Sequence, residues 1–309
     1  MYLQFYGLNR QPFSITPEPT YLFPGQPHIK AWSVLEYGLS NRSGIIVLAG
    51  EVGSGKTTLV KRLINETENQ LTVGLISNTH KSMKNLINWV LIAFNQLDNE
   101  GSQAAKHKQF QNFLEQSYQS HRPAILIVDE AQNLCTEALE ELRLLHNINA
   151  ENKMLLQLVL VGQPPLLDLL KQKELSQLVQ RVSVGYHLKS LNIVETVQYI
   201  QYRLTNAGGN KDIFSHHASA TIFYYSGGIP RIINALCDLA LAYGYSLETP
   251  VIDTELVLEV IKSKHEIGLF PALKEPNEEA IRARQLVKEK ANIDIGLVTV
   301  NQSSDQSNE

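Results

Sequence analysis

The stretch Gly44–Leu59, GIIVLAGEVGSGKTTL, decides how the rest of the chain is read. Its first half is an apolar run of strand length. Its second half, GEVGSGKT from Gly50 to Thr57, fits the pattern G-x-x-x-x-G-K-[ST]. Glycines let a backbone curl until successive N–H groups converge on phosphate oxygens, and a helix beginning near Lys56 adds its partial positive charge. The expected nucleotide cradle is Gly50, Glu51, Val52, Gly53, Ser54, Gly55, Lys56, Thr57 and Thr58. Lys56 is expected to reach the β- and γ-phosphates, and the Thr57 hydroxyl to ligate Mg²⁺. A kinase, a motor and a conformational switch can all begin in this way, so the use made of the nucleotide has to be read elsewhere.

Working outward, strands and helices alternate on the C-terminal side. LTVGLISN reads as a strand, and MKNLINWVLIAFNQL as a helix with apolar residues at i, i+3, i+4 and i+7. A polar connection, DNEGSQAAKHK, precedes a helix at FQNFLEQSYQSH. AILIVDEA opens with a fully apolar run, and LLQLVLVGQ is apolar but for its glutamines, as buried parallel strands are. Between them TEALEELRLLHNIN reads as a helix with Thr136 as its cap. This alternation predicts a parallel sheet covered on both faces, over residues 44–191. Residues 192–268 read as helices only, a small helical domain. On the N-terminal side, residues 1–43 form a segment rich in proline and aromatics that ends in a helix. Residues 269–309 hold one short amphipathic piece, EEAIRARQLVKEKA, in what is expected to be a flexible tail.

The bulk properties narrow the function classes. The 309-residue chain has 43% hydrophobic and 19% charged residues, an ordinary composition for a water-soluble globular protein. Its formal charge of -4 argues against a surface coated in basic residues for nucleic acid. Cys135 and Cys237 lack metal-ligand spacing and are expected to be reduced thiols in a cytoplasmic protein. The N-terminal MYLQFYGLNRQPF lacks the pattern of a signal peptide. The most apolar window is interrupted by Gln157, Gln163, two prolines and Asp168, short of the ~20 apolar residues a membrane span requires.

Further residues bear on the chemistry. Asp129 ends the run ILIVD, where its carboxylate would lie beside a bound Mg²⁺. Glu130, one residue on, would orient or deprotonate an attacking water. That acidic pair favours hydrolysis over transfer to a small acceptor. Gln163, at the tip of LVLVGQ, is placed either to contact the water or γ-phosphate or to serve as a strand-end hydrogen bonder. Arg181 precedes the last strand, VSVGYHL, where it projects either toward a neighbouring subunit's nucleotide or into a surface salt bridge. Arg231 follows Pro230 at the start of a helix, facing either the phosphates or solvent. His216 and His217 are adjacent and cannot face one metal from a helix, and Trp32 and Trp89 read as core. Lys81 and Lys84, in THKSMKN, read as a solvated loop or as a contact to DNA or a partner.

Taken together, GSGKT, VDEAQ, the polar strand tip, QR before the final strand and GGIPR in the helical part resemble an AAA+ ATPase. More specifically, FYGLNRQPFSITPEPTYLF, GEVGSGKTTL, DEAQNLCTEALEELRLLHN, LVLVGQPPL, LVQRVSVGYHLKSL and GGIPRIINALCDLALAYGY resemble the ExeA/GspA family of general secretion, over residues 1–265. The resemblance implies an α/β fold, an AAA+ P-loop NTPase parallel sheet with a helical lid domain. It implies Walker A roles for Lys56 and Thr57, Walker B roles for Asp129 and Glu130, and a sensor 1 role for Gln163. Arg181 then takes the finger role and Arg231 that of sensor 2. Secretion members of that family carry a transmembrane helix and a peptidoglycan-binding module after the ATPase. The expectation here is the stand-alone ATPase part.

The resulting expectation is ATP hydrolysis with Mg²⁺ that switches a homo-oligomer, a ring or a filament. That oligomer would assemble or remodel a secretion, pilus or exopolysaccharide machine of the envelope through a protein partner. The alternative is a regulator of transposition, similar to TnsC and MuB, that assembles on DNA and recruits a transposase. The net charge and the PFSITP start favour the first, and Lys81 and Lys84 keep the second open.

Overall fold

The computed structural model describes residues 1–16, 22–41, 44–77, 79–80, 85–96, 101–149, 153–268 and 277–297. In chain order the elements begin α1 (Tyr2–Phe5), α2 (Gln26–Ser40), β1 (Ile45–Gly50), α3 (Lys56–Thr67), β2 (Thr72–Ile76), α4 (Leu86–Ala93) and α5 (Gln103–Gln119). They continue with β3 (Ala124–Val128), α6 (Thr136–His146), β4 (Leu156–Gly162), α7 (Pro165–Leu170), α8 (Ser176–Val179) and β5 (Val182–Leu188). The last five are α9 (Ile193–Asn206), α10 (His216–Ser226), α11 (Pro230–Ser246), α12 (Thr254–Glu266) and α13 (Glu278–Ala291). The chain divides into two compact units, residues 18–189 and residues 1–17 with 190–309.

The first unit is built on a parallel sheet of order β2-β3-β4-β1-β5. Side chains alternate across it with the period of two that a strand imposes. Ile45, Val47, Leu126, Val128, Leu158 and Leu160 face one layer, where α4, α5 and α6 cover them. Ile46, Leu48, Ile125, Ile127, Val159 and Val161 face the other, against α2 and α3. Both faces are therefore dry, which is why these strands are near-continuously apolar rather than alternating. Because all strands run the same way, β1, β3 and β4 deliver their carboxyl ends to one edge. Ala49 is level with Gly162, and Val128 with Leu160. The amino ends of β1 and β5 meet at the opposite edge, with Ile45 level with Val182.

Several local features differ from the sequence expectation. Helix α5 begins at Gln103, inside the polar connection, because Ser102 caps it by accepting from Ala105 N at 3.3 Å. Helix α6 begins at Thr136 with Cys135 as its cap residue, and the Thr136 hydroxyl instead donates to Gln172 at 3.3 Å. Helix α4 starts at Leu86, where the Glu141 carboxylate accepts from the N–H groups of Leu86 and Ile87, both at 3.0 Å. Trp89 is 36% exposed and faces His80 edge-on, so it is not a core residue.

The second unit is helical and takes in the start of the chain, so the expected boundary at residue 43 does not match the compact units. Arg203 is one of several anchors. This buried side chain of α9 donates from Nε to Pro12 O at 2.5 Å and from Nη2 to Ser14 O at 3.1 Å. Asn234 Nδ2 adds a bond to Ser14 O at 3.2 Å and accepts one from Tyr199. Phe13 is buried edge-on against Phe214. Helix α9 opens with a capping box, Asn192 Oδ1 accepting from Glu195 N while Glu195 Oε2 accepts from Asn192 N.

The stretch expected as flexible tail contains α13, which packs in this unit. Ala280, Ala283 and Val287 are buried, the first two beside Phe223 and the last beside Ala220. Tyr225 donates to the carbonyl of Ile295, and Arg284 makes a paired bond to Asp294 at 2.7 and 3.0 Å. Amphipathic spacing and these anchors hold a segment that was expected to belong to a flexible tail. Among the described residues no helix is long and apolar enough to cross a membrane.

Candidate nucleotide site

The loop after β1 is shaped by Gly55, whose φ of 104° lies in the left-handed region. A β-carbon there would also sit 2.9 Å from His28 Nε2. The same His28 nitrogen lies 2.9 Å from Ser54 O, so a buried histidine of α2 braces the loop backbone from beneath. Sequence reasoning did not single out His28; it lies 26 residues from its partner and carries no motif. Ser54 N donates to Glu51 O, and Thr58 N and Leu59 N both turn back to Gly55 O, which starts α3. Val52 stands 51% exposed at the loop tip, while Ser54 is buried and its hydroxyl has no partner among the described residues.

Lys56, the first residue of α3, is buried and curls over the loop. Its ammonium donates to Gly50 O at 2.8 Å and Glu51 O at 3.0 Å. Burial pushes its pKa down, and Glu130, Asp129 and Glu51 pull it back up. Thr57 directs its hydroxyl to Asp129 Oδ2 at 3.3 Å, joining two elements 72 residues apart. Asp129 is buried just past β3, and that burial raises its pKa, opposed by the Glu130 N–H that it accepts at 2.9 Å.

Glu130 is in the left-handed region, φ 54°. Its Oε2 accepts from Gln163 Nε2 at 2.8 Å and from Gln132 Nε2 at 2.5 Å. Gln132 Oε1 in turn accepts from Gln163 N at 2.9 Å, closing a small ring of bonds. Gln132 is a functional candidate that sequence reasoning passed over, although it is the last letter of VDEAQ. Thr79, just past β2, donates to Glu130 O at 2.6 Å and fixes the same turn.

Lys56, Thr57, Asp129, Glu130 and Gln163 thus come together at the carboxyl edge of the sheet, where ligands of open α/β sheets bind. The residues fit the groups expected there. A buried ammonium, an unpartnered serine hydroxyl and a helix N-terminus suit phosphate oxygens, and a threonine hydroxyl beside a carboxylate suits a hard divalent cation.

The arginines lie elsewhere. Arg181 is exposed at the amino edge, where its carbonyl accepts from Ile45 N at 3.2 Å. Its guanidinium makes no salt bridge among the described residues; Nη1 meets His146 Nδ1 at 3.2 Å. Strand β1 separates it from the loop by about 16 Å, at ~3.3 Å per residue, more than its side chain spans. Arg231 is exposed in the first turn of α11, behind Pro230, in the helical unit. Lys81 and Lys84 fall outside the described residues.

Residues 40–170 match the family of AAA domains. The chain is 37% identical to general secretion pathway protein A of Aeromonas hydrophila over 247 residues, 80% of this chain and 45% of that protein. It therefore spans less than half the length of that relative. Among solved structures it resembles the Cdc6p protein of Pyrobaculum aerophilum, with TM-score 0.61 and 14% identity over 91% of this chain and 84% of that one. The ADP form of the Aeropyrum pernix ORC2 protein gives TM-score 0.59 and 17% identity over 92% and 85%. These two structural likenesses concern the fold.

Proposed function

The chain belongs to the AAA+ ATPases of the ExeA/GspA family, and from that premise we propose that it binds and hydrolyses ATP to switch an oligomer in an envelope machine. The observation that carries the reading is the set of contacts at the carboxyl edge. Thr57 meets Asp129 while Glu130 is held a turn away by Gln163 and Gln132. In this reading the loop amides and Lys56 bind the phosphates, and Ser54 supplies a further donor. Thr57 and Asp129 are the residues that would hold Mg²⁺, which when bound offsets phosphate charge. Glu130 takes a proton from the attacking water, and Gln163 and Gln132 keep its carboxylate aimed.

Arg181 cannot serve the loop of its own chain, because the sheet stands between them. Its use is in trans, on the nucleotide of a second copy, where it offsets charge developing on the transferred phosphoryl group. This makes hydrolysis depend on a homo-oligomer, ring or filament. For Arg231 the sensor 2 role rests on the family resemblance alone. The relative's name supports a secretion or related envelope assembly as the machine, with a protein as partner.

The test is ATP turnover measured together with particle mass, for the wild type, Glu130→Gln and Arg181→Ala, with and without duplex DNA. The expected result is Mg²⁺-dependent turnover that rises with protein concentration and ignores DNA. Glu130→Gln should bind ATP and trap the oligomer. Turnover by Arg181→Ala at the wild-type rate would end the trans reading. DNA-stimulated assembly that weakens with salt would move the function to the transposition class.

A further inference from the structure

The partner of Arg181 has a chemistry of its own. His146 closes α6 and is buried at the amino edge of the sheet, with its ring held between Arg181 and Gly44. Arg181 has donors only, so His146 Nδ1 must be the acceptor in their 3.2 Å contact. That requires the neutral tautomer with its proton on Nε2, a buried nitrogen that lies close to Gly44 and has no hydrogen-bond partner among the described residues. The position leaves no room for a side chain at residue 44. A β-carbon there would lie 2.9 Å from His146 Nε2 and 3.3 Å from Arg181 O.

We propose that His146 is a positioning residue for Arg181, an uncharged acceptor that aims the guanidinium outward toward a second copy of this chain without cancelling its charge. The inference rests on the trans reading of Arg181. A carboxylate in the same place would bind the guanidinium more strongly, but it would also neutralise the charge that makes an arginine useful beside phosphoryl oxygens. A neutral imidazole removes rotamer freedom from an exposed side chain and leaves its remaining N–H groups and full charge available. Burial, with the guanidinium close by, holds the imidazole neutral down to about pH 4. The neighbouring charges of α6, Arg143 and Glu140, are paired with each other at 2.7 Å.

The experiment uses the full chain with Mg²⁺ and ATP and four variants. His146→Asn keeps an acceptor near the Nδ1 position, His146→Asp keeps it but adds a charge, His146→Leu removes it, and Arg181→Ala serves as reference. His146→Leu should lower kcat by about 10²-fold, the cost of a misplaced catalytic group, with KM and particle mass unchanged. His146→Asn should restore kcat to within a few-fold, and His146→Asp should not, although it is the same size. ¹⁵N NMR of the wild-type imidazole at neutral pH should show the Nε2-protonated tautomer whatever the activity.

A protonated Nδ1 in the wild type, or wild-type turnover by His146→Leu beside an inactive Arg181→Ala, overturns the positioning role while leaving the trans reading standing. Full activity in Arg181→Ala overturns the trans reading itself. If His146→Leu does not fold, the comparison of the Asn and Asp variants and the NMR tautomer decide the question.

Discussion

Gln163 donates its amide to Glu130 Oε2 at 2.8 Å, across 33 residues of sequence, and Gln132 reaches the same oxygen. Two donors on one oxygen set the direction of the carboxylate. Replacing Glu130 by glutamine removes the base and puts amide against amide. Turnover should fall by about 10²–10⁴-fold, the usual worth of a general base, with nucleotide affinity intact. Gln132→Ala should be milder, about tenfold in kcat, as expected of a group that only orients the base. Single-turnover kinetics beside equilibrium nucleotide titration separate these effects.

Lys56 is buried, and among the described residues its ammonium donates to the carbonyls of Gly50 and Glu51. Lys56→Ala removes the ammonium from those carbonyls, of which Glu51 O keeps its bond from Ser54 N, and deletes the one cation of the cradle. Nucleotide affinity should fall by about 10- to 100-fold or more, the equivalent of a lost charged hydrogen bond. Fluorescent nucleotide titration reads it directly. Affinity within twofold of the wild type would show that the loop amides suffice.

Arg203 ties the carbonyls of Pro12 and Ser14 to α9. Arg203→Ala should cost about 3 kcal/mol, since bonds to charged groups contribute ~1.5–3 kcal/mol each and are not additive. A drop of roughly 5–10 °C in Tm should follow, along with proteolytic nicking within the first sixteen residues. The meaning of PFS at residues 12–14 would then be structural: it is the strap that this arginine holds.

His146 also carries a signed dependence on pH. Its pKa is lowered from 6.5 to about 4 by burial and by Arg181, so the unfolded chain takes up the proton first as pH falls. The associated stability is fully present above pH 6.5, declines as pH falls toward 4, and is level below that. The slope should not exceed about 1.4 kcal/mol per pH unit. Denaturant midpoints of the wild type and His146→Asn, compared between about pH 7 and pH 5, should diverge in this sense, the variant losing less.

Most of the sheet unit was legible because its strands are buried on both faces and its loop motif is local. Asp129, Glu130 and Gln163 stood out as candidates because they sit at or just past the ends of apolar runs, and the structure brings them together. What escaped reading depends on contacts distant in sequence. His28 is recognisable through its contact with Ser54, and His146 through Arg181, 35 residues on. The start of α4 is set by a carboxylate 55 residues away. Helix α13 was visible as an amphipathic stretch, but charge-rich composition alone gave no sign of the α10 face that covers it.

The parallel order of the sheet has one more consequence, for the making of the protein. Strand β1, which bears the phosphate loop, pairs with β4 and β5 and with no strand nearer in sequence. On the ribosome its partners emerge only after more than a hundred further residues, roughly 5–25 s later at ~5–20 residues per second. During that interval IIVLAG is an unpaired, wholly apolar edge. The nucleotide loop is thus drawn taut late, by the arrival of LQLVLVG, and the nascent chain spends that time reliant on whatever shields such a segment from its neighbours.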